Sequence, residues 1–96
     1  MIKTGEKMDL KSLRKAVDDA DKCLAEVFNA RMNLVKLIAE EKHKSGEQIL
    51  NSERESKVFK SVLALADNEI KEYMKELYAV ILKLSKAYQK EVTAQL

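Results

Sequence analysis

Apolar residues recur at alternating steps of three and four along the first half of the chain. This spacing predicts one long helix from about Asp9 to Lys44, about 54 Å long at 1.5 Å per residue. Ser45 and Gly46 then provide a stop signal. The positions that form this first-helix stripe are Leu10, Leu13, Val17, Ala20, Leu24, Val27, Leu34 and Ile38. A helix of this length extends beyond any core that so short a chain can build alone.

The rest of the pattern predicts two further helices, one short and one long. Asn51 and Ser52 are candidate N-caps of the short helix, which ends near Asp67 and Asn68, two residues that can cap the third helix. Two stripes that overlap at Ile81 imply that the third helix buries a broad face. They comprise Ile70, Met74, Leu77, Ile81, Leu84 and Tyr88 on one side and Tyr78, Ser85, Gln89 and Val92 on the other. The predicted fold is therefore all-α, with helices in the order long, short, long.

Composition supports helices and argues against a sheet. The 96 residues include no proline and only two glycines, and their many Ala, Leu, Lys and Glu residues favour long helices. This length fits a single domain over 1–96, with a flexible N-terminal tail over 1–8. A chain of this size buries only about 60 to 65 % of its unfolded surface, so self-association would add to a thin core.

The sequence favours neither a membrane nor a nucleic-acid partner. Its longest apolar run, 77–82, is far shorter than the roughly 20 residues of a membrane span, and the opening MIKTGEKM lacks the apolar segment of a signal peptide. The single cysteine, Cys23, has no partner for an internal disulfide, which favours a reducing cytoplasm. Eighteen Lys and Arg residues are interspersed with sixteen Asp and Glu residues, whereas nucleic-acid-binding proteins usually show a basic stripe.

Two cations lie on the apolar side of the first helix. Arg31 takes a stripe position between Val27 and Leu34, where a cation needs an anionic partner or a route to water. Lys42 follows eleven residues later, at an angular offset of about 20° and a rise of about 16 Å. The two cations therefore share one face, and the gap between their charged groups has the length of a small metabolite. Such a pair favours a dianion.

Further polar residues can face the same cavity. Ser85 and Gln89 lie four residues apart on the third helix, about 40° apart in angle. Arg54 and Glu55 fall in the first turn of the second helix, where exposed backbone N–H groups favour an anion. Together with the two cations, these residues predict a pocket for a small, doubly anionic metabolite.

Arg14 fits this pocket only in an assembly of two chains. It lies about 25 Å along the first helix from Arg31, on a face rotated by about 100°. The two arginines can meet if a second chain packs antiparallel against the first.

Simpler roles are open for the same residues. Arg31 and Lys42 can extend to water or pair with a facing glutamate of the protein. Gln89 can specify register in a coiled coil, and Glu55 can be the N3 partner of a Ser52 capping box. The acidic run at 18–21 has no second acidic cluster at helical spacing, so we expect a solvated face there and no metal or other cofactor.

Four segments, in order and in spacing, resemble the all-helical bacterial chorismate mutases from Leu13 to Gln89. LRKAVDDAD resembles the family's opening Leu-Arg with its following Asp positions, and NARMNLVKLIAEEK resembles the Arg-Met segment with a lysine eleven residues after the arginine. SERES resembles the Arg-Glu pair that opens the second helix. LSKAYQ resembles the closing Ser and Gln.

The resemblance implies an intertwined homodimeric helix bundle with shared active sites. It also implies a cytoplasmic enzyme of aromatic amino acid biosynthesis that rearranges chorismate to prephenate. The implied active-site residues are Arg14 from the partner chain, Arg31, Lys42, Arg54, Glu55, Ser85 and Gln89. Asn51 departs from the family, which usually has aspartate there; asparagine keeps the capping ability but lacks the charge. The proline common at the position of Ser52 is also missing.

The roles implied for these residues follow from the family's reaction, a concerted pericyclic shift that needs no nucleophile and no proton transfer. Arg31 and the partner chain's Arg14 would bind the two carboxylates of the substrate. Arg54 would help to orient these two arginines. Lys42 and Gln89 would donate to the ether oxygen, and Glu55 would accept from the substrate hydroxyl.

Three alternative functions are open at this point. An isochorismate-pyruvate lyase is the nearest, although Glu55 argues against it because such lyases lack the Arg-Glu pair. A non-catalytic domain of the same fold that binds a metabolite or regulates another enzyme is the second, and Asn51 is the feature that favours it. A structural helical module, in which protein carboxylates pair with the cations, is the third.

Overall fold

Three α-helices make up most of the molecule. A computed structural model describes residues 9–96, with α1 at Leu10–Ser45, α2 at Ser52–Leu65 and α3 at Lys71–Ala94. No strand occurs in this range, which confirms the all-α fold in the order long, short, long. None of the helices formed by residues 9–96 has the length and apolar character needed to cross a membrane. The tail predicted over 1–8 lies outside the described residues.

Hydrogen bonds at both ends of α1 show how the helix starts and stops. At the N-terminus the backbone N–H of Ser12 donates to the carboxylate of Asp9 at 2.8 Å, and this hydrogen bond lowers the pKa of Asp9 below its usual value. At the C-terminus Gly46 adopts a left-handed φ of 75°, and the N–H of Glu47 donates to the carbonyl of Lys42 at 3.0 Å. This is the 6→1 bond of a Schellman motif, so the predicted stop is confirmed.

Asn51 caps α2. Its side-chain oxygen accepts the backbone N–H of Arg54 at 3.0 Å, and its backbone is extended, as N-cap residues require. Ser52 is consequently the first residue of the helix, and the N3 position belongs to Arg54. The capping box considered for Ser52 and Glu55 is therefore wrong, because the helix begins one residue too early for it.

The start of α3 differs from the prediction. A 3-10 turn, Asn68–Ile70, precedes the helix, and the N–H of Ile70 donates to the backbone carbonyl of Asp67 at 3.1 Å. Neither Asp67 at the turn nor Ile70 at the helix makes a side-chain capping bond. The prediction that Asp67 and Asn68 cap α3 is wrong, because the extra turn separates them from the helix.

The chain divides into two units, Met1–Asn33 and Leu34–Leu96. Apart from Asp9, the described part of the first unit consists of α1 alone. Its stripe residues are exposed, with Leu24 at 61 % and Val27 at 65 %. This exposure agrees with the expectation that the first helix extends beyond the core that one chain can build, and burial of its stripe against a second chain stays a prediction.

The second unit has a small core, formed by buried residues from the end of α1 and from α3. Val35 and Ala39 of α1 are buried, as are Leu82 and Val92 of α3. The buried face of α1 is thus one position on from the predicted Leu34 and Ile38, which are exposed here. One residue corresponds to about 100° of rotation, so another face of α1 packs in this unit.

Only one of the two stripes predicted on α3 is buried. Ser85, Gln89 and Val92 of the second stripe have at most 8 % exposure, whereas Leu77 and Leu84 of the first have 45 % and 44 %. Two polar residues of the helix, Ser85 and Gln89, therefore lie in the core while several of its aliphatic residues face outward.

Candidate active site

Lys42 and Gln89 meet inside the second unit. The ammonium of Lys42 donates to Oε1 of Gln89 at 3.1 Å and to the backbone carbonyl of Ile49 at 2.7 Å. Gln89 is only 7 % exposed and Lys42 is half-buried. Because an ammonium has no acceptor, the amide must turn its oxygen toward it, and the two N–H groups of Gln89 then point elsewhere.

The end of α1 sets the position of Lys42. The left-handed Gly46 ends the helix, and the connection that follows brings the Ile49 carbonyl to the ammonium. The backbone carbonyl of Lys42 is held as well, by the N–H of Glu47. Main-chain and side-chain atoms of this lysine are therefore both fixed by the turn, and the two bonds of the ammonium leave its third N–H as a donor.

Ser85 lies one turn before Gln89 on the same buried face. It is 5 % exposed, and its hydroxyl donates to the carbonyl of Ile81 in the preceding turn at 2.8 Å, a common arrangement for serine in helices. The structure thus confirms that Ser85 and Gln89 share a face, while contact of Ser85 with a ligand stays a prediction.

Glu55 contacts a lysine that the sequence did not single out. Lys86 Nζ lies 3.3 Å from each carboxylate oxygen of Glu55, so the pair bridges α2 and α3. The Glu55 and Lys86 side chains are 26 % and 34 % exposed. Glu55 therefore has a direct cationic partner on α3. The sequence signal for Lys86 is its spacing, three residues before Gln89 and adjacent to Ser85, which places it beside the buried face but indicates no partner.

A groove between α2 and α3 adjoins this pair. Its lining residues are Ser52, Glu55, Ser56, Phe59, Lys60, Leu63, Ala79, Leu82 and Lys86. Lys42 and Gln89 are not part of this lining, so the groove includes the Glu55–Lys86 pair but not the Lys42–Gln89 contact.

The remaining residues predicted at the start of α2 are on the surface. Asn51 and Arg54 are both exposed and are joined by the capping bond. The Asn51 oxygen is therefore committed to the helix terminus, and the Arg54 side chain extends from the first turn. Contact of either residue with a substrate stays a prediction.

Arg14 and Arg31 belong to the first unit. Arg14 is exposed and lines an open depression on α1 with Leu10, Lys11, Lys15 and Asp18. Arg31 is half-buried. Their grouping with the residues of the second unit, within one chain or between two, stays a prediction.

The second unit contains two polar contacts, Lys42 with Gln89 and Lys86 with Glu55, which are suited to hydrogen bonding and electrostatic stabilisation. Within residues 9–96 no three His, Cys, Asp or Glu side chains are grouped to hold a metal ion. Fixed donors of this kind stabilise developing negative charge.

Comparison with known proteins identifies a family match. A family model described as chorismate mutase type II matches residues 13–90. This range includes every residue predicted at the site, from Arg14 to Gln89. No curated protein and no solved structure gives a significant match.

Proposed function

The chain belongs to the chorismate mutase type II family, and from this premise we propose that it catalyses the rearrangement of chorismate to prephenate. The reaction breaks an ether C–O bond while a C–C bond forms in the same molecule. It requires no nucleophile and no proton transfer, so orientation of the substrate and stabilisation of charge are the means of catalysis. A site without a paired acid and base can therefore be an active site.

The observation that carries the proposal is the contact between Lys42 and Gln89. The ether oxygen gains negative charge as its bond to carbon breaks. A third N–H of the lysine and the amide N–H groups of the glutamine are the donors suited to that oxygen. Because Ile49 and the Lys42–Gln89 bond fix these donors beforehand, they need little reorganisation in the transition state.

The two carboxylates of the substrate require cations, and arginine suits them because its guanidinium binds carboxylates in a planar, bidentate way. We assign Arg31 of one chain and the partner's Arg14 to this role. Arg54 orients these two arginines. The assignment makes the enzyme a homodimer with shared sites. The exposed first-helix stripe around Leu24 and Val27 supports it, since a second helix is needed to cover that stripe.

The substrate hydroxyl is assigned to Glu55 as acceptor, with Ser85 and Asn51 nearby in the family's pattern. Asn51 uses its oxygen to cap α2 and has no charge, so the negative group at this end of the site is Glu55. We place the enzyme in the cytoplasm and in aromatic amino acid biosynthesis, as expected for this family.

The test follows the ultraviolet absorbance of chorismate with pure protein, beside the same assay with isochorismate. Wild type is expected to consume chorismate, and Lys42→Ala to lose about 100- to 1,000-fold in kcat, the usual effect of removing one preorganised donor. Arg31→Ala should also lose most turnover.

Circular dichroism of both variants should match that of wild type. Lys44→Ala, an exposed lysine of the same last turn, is the matched control and should remain fully active. An active Lys42→Ala protein would refute the assignment. Consumption of isochorismate instead of chorismate would identify a lyase.

A further inference from the structure

The Glu55–Lys86 pair differs from the other ion pairs described in the chain. It joins two helices, and its side chains are only 34 % and 26 % exposed. Three further pairs each lie within one helix at a spacing of three or four residues, and their side chains are 45 to 84 % exposed. These are Lys15–Asp19, Lys57–Glu53 and Lys75–Glu72. Solvent screens such exposed pairs strongly, whereas the cross-helix pair is screened less.

Lys86 lies beside the buried amide of the candidate site. Lys86 and Gln89 are three residues apart on α3, so they are neighbours on the helix surface, about 60° apart in angle. The Glu55 carboxylate is consequently paired with a residue that precedes Gln89 by less than one helical turn. On the proposed function, the ether oxygen of the substrate meets the Lys42–Gln89 contact and its hydroxyl meets Glu55.

We propose that Lys86 is a positioning residue that holds the Glu55 carboxylate in place for the substrate hydroxyl, an inference that rests on the function proposed above. A free glutamate side chain has three rotatable bonds, and ordering it on substrate binding costs conformational entropy. The ion pair with Lys86 orders the Glu55 side chain before the substrate binds. Its contacts still leave acceptor capacity, because two carboxylate oxygens offer about four lone-pair sites.

The position of Lys86 predicts how its loss affects the kinetics. Glu55 binds the hydroxyl in the ground state and in the transition state alike, since the hydroxyl takes no part in bond making or breaking. Loss of such uniform binding raises KM more than it lowers kcat. The donors on Lys42 and Gln89, which act on the breaking bond, should show the opposite pattern.

The experiment combines single variants with a double-mutant cycle. Lys86→Met should lower kcat/KM for chorismate about tenfold, mainly through KM, which is within the range of couplings in one ion-pair network. Lys86→Arg keeps the cation and should recover activity to within about threefold of wild type. Lys86→Met with Glu55→Gln should be no worse than Glu55→Gln alone, because the lysine acts through the glutamate.

Lys75→Met is the matched control, since it removes a half-buried lysine that pairs with Glu72 within the same helix. It should leave kcat/KM unchanged. Circular dichroism and thermal midpoints of all variants establish that they are folded, and Lys86→Gln is a second neutral variant that keeps a polar group at this partly exposed position.

Two results would overturn the inference alone. One is wild-type kcat/KM in Lys86→Met and Lys86→Gln; the other is a double variant whose loss equals the product of the two single losses. A wild-type protein that leaves chorismate unchanged would instead overturn the proposed function, and this inference with it.

Discussion

The two units of the chain use their apolar residues in opposite ways. In the first unit Leu24 and Val27 stand on α1 with more than half of their surface exposed. In the second, Val35 and Leu82 are buried, and a buried amide lies among them. The same helical periodicity therefore gives a packed core in one unit and an exposed apolar stripe in the other. Periodicity shows which residues are suited to burial, but another structural element has to pack against them.

The difference separates two roles in the proposed function. The second unit fixes its own polar groups, because Ile49 and Gln89 hold the Lys42 ammonium and Lys86 holds Glu55. The first unit presents Arg14 and Arg31 on a helix whose stripe is unpartnered in the described part of that unit. On the proposed function, the second unit supplies the hydrogen-bond donors to the ether oxygen. The first unit supplies the arginines that bind the carboxylates, after a second chain has covered its stripe.

The largest effect is expected from a charge placed in the first-helix stripe. Leu24→Glu would bury an unpaired carboxylate at the proposed dimer contact, which costs several kcal/mol. We expect loss of the dimer in sedimentation velocity and loss of at least about 100-fold in activity, since an arginine of each site is then missing. Lys22→Glu places the same charge elsewhere on the helix and should change neither property. A fully active, dimeric Leu24→Glu protein would contradict the proposed role of the stripe.

A second experiment tests whether each site draws on two chains. Arg14→Ala and Arg31→Ala proteins should each be inactive. After exchange of subunits at equal concentrations, half of the dimers are mixed and one of their two sites has both arginines. Activity should therefore return to about a quarter of wild type for a symmetric dimer. Mass spectrometry of differently labelled subunits confirms exchange, and absence of recovery despite exchange would place both arginines in one chain's site.

The smallest effect is expected from substitutions of Asn51, which belongs to the second unit. Asn51→Ala removes the oxygen that accepts the Arg54 N–H, and we expect a loss of about 1 kcal/mol in the free energy of unfolding. Asn51→Asp keeps the cap and adds a charge that the helix dipole favours, so its stability should equal or exceed that of wild type. Urea unfolding measures both, and an equally destabilised Asn51→Asp protein would argue against capping as the main role of this residue.

Sequence reasoning predicted the helices and their caps well where the signals are local. The Schellman stop at Gly46 and the cap at Asn51 each depend on a few neighbouring residues, and both are present. The pairing of Lys42 with Gln89 agrees with their predicted place on buried faces. Helical spacing does not say which face of α1 is buried within one chain, and there Val35 is buried while Leu34 is exposed.

The cross-helix contact of Glu55 with Lys86 was missed for a related reason. A lysine next to a buried face is usually solvated, so its pattern alone does not indicate a partner. The partner is thirty-one residues away in the chain, and only the packing of α2 against α3 brings the two groups together. The 3-10 turn before α3 was missed as well, since Asp67 and Asn68 carry the composition of a cap without acting as one.

The bond between Lys42 and the carbonyl of Ile49 has a consequence for how this connection can vary. The acceptor is a main-chain atom, so any amino acid at position 49 supplies it. Insertion or deletion of one residue between Gly46 and Asn51 would instead shift the carbonyl by several ångströms. The length of this segment is therefore under stronger constraint than the identity of its side chains, and an engineer can redesign its surface but not its span.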